Sequence, residues 1–210
     1  MRDEPEKEVV HRLEAFSDIV IGFSLAQLGL TLTIPSHARD LFTHVRGAGG
    51  LFALIVTFAL VCGVWWSHHR LFRHLFVPTA LNIVANFAAL CGVILLAYSM
   101  QLLVHFSFSD HVAFAMYTGS YAWIYSLFAL AAWNSLRLRR ERMSAEDSTD
   151  GMRFAVRASL FGIYLMAVTI ATVRFGFGSS AAQWFMFGLL LVGLLARFLT
   201  RARVKQIANV

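Results

Sequence analysis

The sequence predicts an all-α fold: a polytopic membrane protein of six spanning helices in one domain covering residues 1–210. Three observations carry this: apolar runs long enough to cross a bilayer, a shortage of charge, and a one-sided distribution of the charge that remains. The chain is 58% hydrophobic and 14% charged, with a mean hydropathy of +0.64. A soluble domain carries roughly 25% charged residues.

The apolar runs fall at Phe16–Ile34, Gly49–Trp66, Val77–Val104, His111–Leu136, Phe154–Val173 and Ala181–Leu199. Each is long enough, at about 1.5 Å per residue, to cross a hydrocarbon core of roughly 30 Å. Between them the 18 Lys and Arg are unevenly divided. With six spans, one side holds only Arg39, Arg46 and Arg174, and every other Lys and Arg shares a side with both termini. Basic residues stay in the cytoplasm, which predicts N-in, C-in topology in a cell membrane, the bacterial inner membrane being expected. The net charge of +6 is therefore a topology signal and gives no reason to expect a nucleic-acid partner. Met1–Ala15 mixes acids and bases without a small-residue cleavage site, so the first span is expected to be retained. The polar stretch Arg137–Arg153 reads as a cytoplasmic loop. Cys62 and Cys91 lie inside spans and are expected to be free, packed thiols.

Polar groups at membrane depth are costly and usually face protein or water. The first span carries several. At about 100° per residue, Phe16, Phe23, Gln27, Leu30 and Ile34 share one stripe of about 60°, and Asp18, Leu25 and Gly29 are read onto the opposite face. Asp18 lies at the inner end of this helix, at the same depth as Trp65-Trp66-Ser67-His68-His69-Arg70 and as Asn82 and Asn86. Indole, imidazole, guanidinium and amide donors there suit a carboxylate. Two readings stay open: one polar network holding the first helix to its own subunit, or an interfacial aromatic belt with locally bonded asparagines.

Catalytic chemistry finds no support. The eight histidines form no HxxxH or HxxHH box, and adjacent His68 and His69 diverge by about 100° on a helix, so no metal site is expected. No nucleophile–base pair, Walker loop or dinucleotide motif occurs, and no cofactor is expected. The chain reads as a conduit or scaffold and not as an enzyme.

Three motifs in order resemble a known family. Arg12-Leu13-Glu14-Ala15-Phe16-Ser17-Asp18 has the form RxxxFSD at the start of the first span. Trp65 with His68 and His69, followed by Leu71-Phe72, has the form WxxHHxLF. Leu81-Asn82 opens the third span. Together they resemble the bacterial members of the transmembrane protein 175 family of potassium channels. The resemblance implies a homotetramer with four copies of the first helix around a central pore, conducting potassium or another monovalent cation across the lipid bilayer. It also implies that Arg12, Phe16, Ser17, Asp18, Trp65, His68, His69 and Asn82 form an intrasubunit network.

The chain departs from that family where the pore is expected. Relatives place Ile or Leu five residues after the motif aspartate and Thr eight residues after it; here Phe23 and Ala26 stand there, with Gln27 adding an amide. Phe23, Ala26, Gln27 and Leu30 are the expected pore-lining residues. Four phenylalanine rings can dewet a neck or offer their faces to a cation. That Phe23 packs against a neighbouring helix is the alternative. At the level of function, a small-solute or ion-coupled transporter and a non-conducting scaffold descended from channels stay open beside passive cation conduction.

Overall fold

The computed structural model describes residues 4–30, 45–106, 110–139, 143, 145–176, 188–189 and 191–195. It is helical: α1 Glu4–Leu30, α2 Val45–His74, α3 Ala80–Phe106, α4 His111–Arg139 and α5 Ala145–Phe175. Residues 188–189 and 191–195, inside the sixth predicted run, are helical as well. A Cβ at Gly188 would run into the Tyr164 ring, which places that segment against α5. The rest of the sixth run, and Ile34 at the end of the first, lie outside the described residues.

Helices outrun the apolar segments in several places. α1 begins at Glu4, where Lys7–Glu4 and Arg12–Glu8 ion pairs one turn apart suit a solvated helix. α2 continues past Trp66 to His74. The expected loop at Arg137–Arg153 is corrected in part, since residues 145–153 form the first turns of α5. Acidic side chains near a helix N-terminus complement the helix dipole, and Arg153 pairs with Asp150 one turn away. An apolar run marks the embedded part of a helix and is blind to its polar extension. At Val77–Thr79 the reverse holds. Pro78 keeps the chain extended, and Thr79 caps α3 by accepting from the Asn82 backbone N–H at 3.3 Å.

Among the described helices, α1, α3 and α5 are long and apolar enough on their own to cross a membrane. α4 is not, and its packing explains why. Tyr117, Thr118, Ser120, Tyr121 and Ser135 are all buried on it. A helix wrapped by its neighbours needs less apolar surface than one facing lipid. α4 packs most extensively along α5 and next along α3. Small residues set these approaches: Gly162 of α5 meets Ser126 of α4, and Gly92 of α3 meets Trp123 and Ile124. Interhelical hydrogen bonds complete the seams: Thr169 to Thr118 at 2.9 Å, Trp133 to Ser159 at 3.0 Å, and Trp123 to the Ala88 carbonyl at 2.8 Å. α2 enters through Thr57, which donates to Met100 Sδ at 3.2 Å and stands 3.0 Å from the Tyr117 hydroxyl. Val61, Val64, Phe72, Leu96, Ala122 and Ile124 form the centre of the core.

Cys62 and Cys91 are both free, and Cys62 is half-buried. Cys91 is exposed on α3, so the expectation of a packed thiol fails there. Its neighbours Leu90 and Gly92 take the buried positions.

Candidate functional site

α1 lies against α2 and α3 by one face. Val10, Ser17, Ile21, Ser24 and Leu28 are buried, following the three- and four-residue steps of one helical face. The hydroxyls among them cost little, because each donates to the carbonyl four residues back: Ser17 to Leu13 at 2.7 Å and Ser24 to Val20 at 2.9 Å.

Two side-chain rungs fasten α1 to the antiparallel α2. The Trp65 indole N–H donates to Asp18 Oδ1 at 2.9 Å. One turn nearer the N-terminus of α1, His69 Nδ1 donates to Glu14 Oε1, also at 2.9 Å. Glu14 and Asp18 are four residues apart, as are Trp65 and His69, so both helices present their pairs on one face. Trp65 and His69 stack at 5.8 Å between ring centroids, which fixes both donors.

A third connection runs to α3. Asn86 Nδ2 donates to Ser17 Oγ at 3.1 Å, and Asn86 Oδ1 stands 3.0 Å from His68 Nε2. A carbonyl oxygen only accepts, so Nε2 carries a proton, and in the neutral ring Nδ1 is left as a bare lone pair. Among the described residues that Nδ1 has no partner, although the ring is buried and stacked on Phe72 at 4.3 Å. The direction of donation is unbroken from His68 through Asn86 and Ser17 to the Leu13 carbonyl.

The motif residues do not all meet. Asp18, Trp65, Ser17, His68 and His69 converge on this α1–α2–α3 seam. Asn82 serves a second cluster where α3 meets α4: its amide donates to Ser135 Oγ at 3.0 Å and to the Val77 carbonyl at 2.8 Å, and it accepts from Asn134 at 3.0 Å. Arg12 is exposed and pairs with Glu8 on its own helix. Phe16 is 47% exposed and meets Phe87 of α3 edge-on at 5.8 Å. Glu14, Asn134 and Ser135 are the participants that the motifs did not name. The four-residue spacing from Glu14 to Asp18 was the available signal for the first.

Beyond Phe16, the other face of α1 is exposed among the described residues. Ile19 is 69% exposed, Phe23 73% and Leu30 85%. Ala26 and Gln27 are exposed beside them, and Gly22 and Gly29 have no side chain within 4 Å of where a Cβ would stand. Gly29 lies about 20° round the helix from Asp18, as periodicity places it, and is uncovered, so the open face reaches from Gln27 to the edge beside Asp18, while the packed face turns through Leu28 and Ser24. Phe23 packs on no described helix of its own subunit.

Comparison with known proteins fits this geometry. Residues 12–96 match the sequence profile of the family described as the endosomal/lysosomal potassium channel TMEM175. A potassium channel of Marivirga tractuosa is 26% identical over 95 residues, 45% of this chain and 37% of the relative. The aligned stretch therefore spans little more than a third of that protein's length. The fold of a variant of the potassium channel MtTMEM175, solved in complex with a Nanobody-MBP fusion protein, matches with a TM-score of 0.69 at 18% identity, over 92% of this chain and 93% of that one. A lysosomal potassium-selective channel TMEM175 homolog from Chamaesiphon minutus matches with a TM-score of 0.62 at 19% identity, over 93% and 98%. Across residues 12–96 this chain carries the sequence signature of the TMEM175 family, and across nearly its whole length it has the fold of that family's solved channels.

Proposed function

We propose that four copies of this chain form a passive cation channel, with potassium as the principal ion, around an axis lined by the open face of α1. Both termini lie in the cytoplasm, in keeping with the distribution of Lys and Arg. One observation carries the reading. At membrane depth α1 exposes Gln27, Gly22 and Gly29 beside Phe23 and Leu30, and none of the described residues stands within 4 Å of a Cβ at either glycine. An amide facing hydrocarbon is penalised, so this face belongs against protein or water. Four such helices around an axis supply both: small residues allow close approach, and Gln27 offers amide oxygens to an ion shedding part of its hydration shell.

Phe23 is the constriction in this reading, with Ala26, Gln27 and Leu30 lining the path beyond it. The rungs from Asp18 and Glu14 to α2 hold the backs of the four helices, so that the axis is set by fixed subunits. Particle images of the purified protein in detergent are expected to show four-fold symmetry with α1 at the axis, and proteoliposomes to show potassium flux at single-channel turnover. A monomeric particle, or slow saturable uptake, would replace the channel with a transporter or a scaffold.

A further inference from the structure

A cleft of about 340 Å³ opens at the end of the bundle where α2 and α4 finish, away from the open face of α1. Its walls differ in charge. Arg73, in the last turn of α2, and Arg139, at the end of α4, form the cationic side, with the His74 imidazole beside Arg73. Glu6 of α1 and Asp147 in the first turn of α5 bring carboxylates, and Glu6 holds Arg139 at 2.7 Å. Val77 and Leu138 add an apolar lining between them. Arg73 and His74 are exposed and, among the described residues, make no hydrogen bond or ion pair. Arg73 lies seven residues beyond Trp66, about 10 Å along the helix axis, which is the depth of lipid headgroups if Trp66 marks the edge of the hydrocarbon.

We propose that this cleft seats a phosphate–ammonium zwitterion, the phosphoethanolamine headgroup of a membrane lipid. The charge layout selects it. A phosphate alone would satisfy Arg73 and His74 but leave its oxygens near the carboxylates of Glu6 and Asp147. An ammonium alone would meet the arginines. A headgroup carrying both places the phosphate on Arg73 and His74 and the ammonium toward Asp147 and Glu6. Glu6 and Asp147 both have partners within the fold, and a carboxylate has about four acceptor sites, so each keeps those partners while accepting one more N–H. A primary ammonium supplies those N–H donors and a quaternary choline does not. The volume falls within the range of about 300–1,000 Å³ typical of small-ligand sites, and Val77 and Leu138 suit the glycerol and upper acyl carbons. Because Glu6 is on α1, an occupied cleft also ties the foot of the proposed pore helix to α2, α4 and α5.

The test is thermal unfolding of the full-length protein in detergent, titrated with phosphatidylethanolamine, phosphatidylcholine, phosphatidylglycerol or soluble glycerophosphoethanolamine. It needs no conduction, so its outcome is separate from that of the channel reading. Phosphatidylethanolamine is expected to raise the midpoint progressively with concentration and more than the other two lipids, as ligand binding to the folded state requires. Arg73→Gln with His74→Gln should remove that increment, and Asp147→Asn should shift the preference toward phosphatidylglycerol. Native mass spectrometry of lipid retained by each variant gives a second reading that does not depend on its stability. Equal responses to all three lipids, or a full response in the doubly substituted protein, would overturn the proposal. Stabilisation by the soluble compound as strong as by the lipid would assign the site to a free phosphoethanolamine compound and overturn its lipid source.

Discussion

Two faces of this chain stand equally bare, one on α1 and one on α5, and their chemistry is opposite. α5 exposes Ile163, Met166, Ile170 and Val173, an aliphatic surface. α1 exposes Ile19, Phe23 and Leu30 to similar degrees but sets Gln27, Gly22, Ala26 and Gly29 among them. Lipid tails accept the first surface at no cost and penalise the amide and close-approach glycines of the second. On the proposed reading, fractional exposure in one chain carries two meanings: one face is finished by lipid, the other by further copies of the chain and the water between them.

A lysine placed on each face should break that comparison if it is wrong, and gives the largest effects. At the middle of a lipid-facing helix Lys costs about 2.5–3.5 kcal/mol on insertion scales. Ile163→Lys should therefore lower the yield of membrane-integrated protein severalfold. Gln27→Lys should integrate normally, because four ammonium groups on a wet axis are solvated, and should abolish cation flux by repulsion. Yields from membrane fractions and flux into proteoliposomes measure both. Conduction by Gln27→Lys at the native rate would take that face off the ion path.

Phe23→Ala comes next. Removing four rings from a neck should raise cation flux several-fold, while Ile170→Ala on the α5 face should leave flux as it was. Flux unchanged by Phe23→Ala in an intact tetramer would move the gate to Leu30, the next large side chain on the stripe.

Glycine substitutions probe the same contrast through stability. A Cβ on Gly162 would stand 3.0 Å from Ser126 Oγ and 3.2 Å from its backbone nitrogen, and backbone cannot step aside. Gly162→Ala should cost about 1–3 kcal/mol, read as a lower unfolding midpoint. Gly22→Ala meets none of the described residues and gains helix propensity, so the subunit's stability should hold or rise slightly. Any loss in Gly22→Ala would then report on assembly, visible as fewer tetramers by size-exclusion chromatography.

Legibility in the sequence followed physical range. Helix cores were readable because a bilayer imposes uninterrupted apolar length, which is a local property. The polar ends of α1, α2 and α5 were not, since ion pairs such as Arg12–Glu8 resemble loop composition. On α1 the stripe of Phe23, Gln27 and Leu30 followed from helical periodicity. Its width did not: periodicity sets Gly29 near Asp18, but glycine and alanine carry no hydropathy to show that Gly22, Ala26 and Gly29 stay uncovered. The motif residues of the seam could be brought to one depth, yet depth does not specify partners. Asn82 and Asn86 lie one turn apart on α3, and only the packing of α4 decides that the first turns to Ser135 and the second to Ser17.

The smallest effect, and the sharpest, concerns Asp18 and Gln27, two polar side chains on opposite sides of one helix. Asp18 accepts from the Trp65 indole, and that bond survives replacement by Asn, whose Oδ1 still accepts. What is lost is the charge assistance at a partly exposed rung, about 0.5–1.5 kcal/mol, with the Glu14–His69 rung one turn away still intact. Asp18→Asn should lower the unfolding midpoint or the tetramer yield slightly and leave the potassium-to-sodium permeability ratio unchanged. Gln27→Ala should do the reverse. It frees no partner among the described residues, so the subunit should keep its stability, but it takes four amide oxygens from the proposed lining and should shift the permeability ratio more than the total flux. Reversal potentials under bi-ionic conditions, measured beside thermal midpoints, separate the two. A normally assembled Asp18→Asn channel with altered selectivity would put the carboxylate on the ion path, and the two faces of α1 would have to be exchanged.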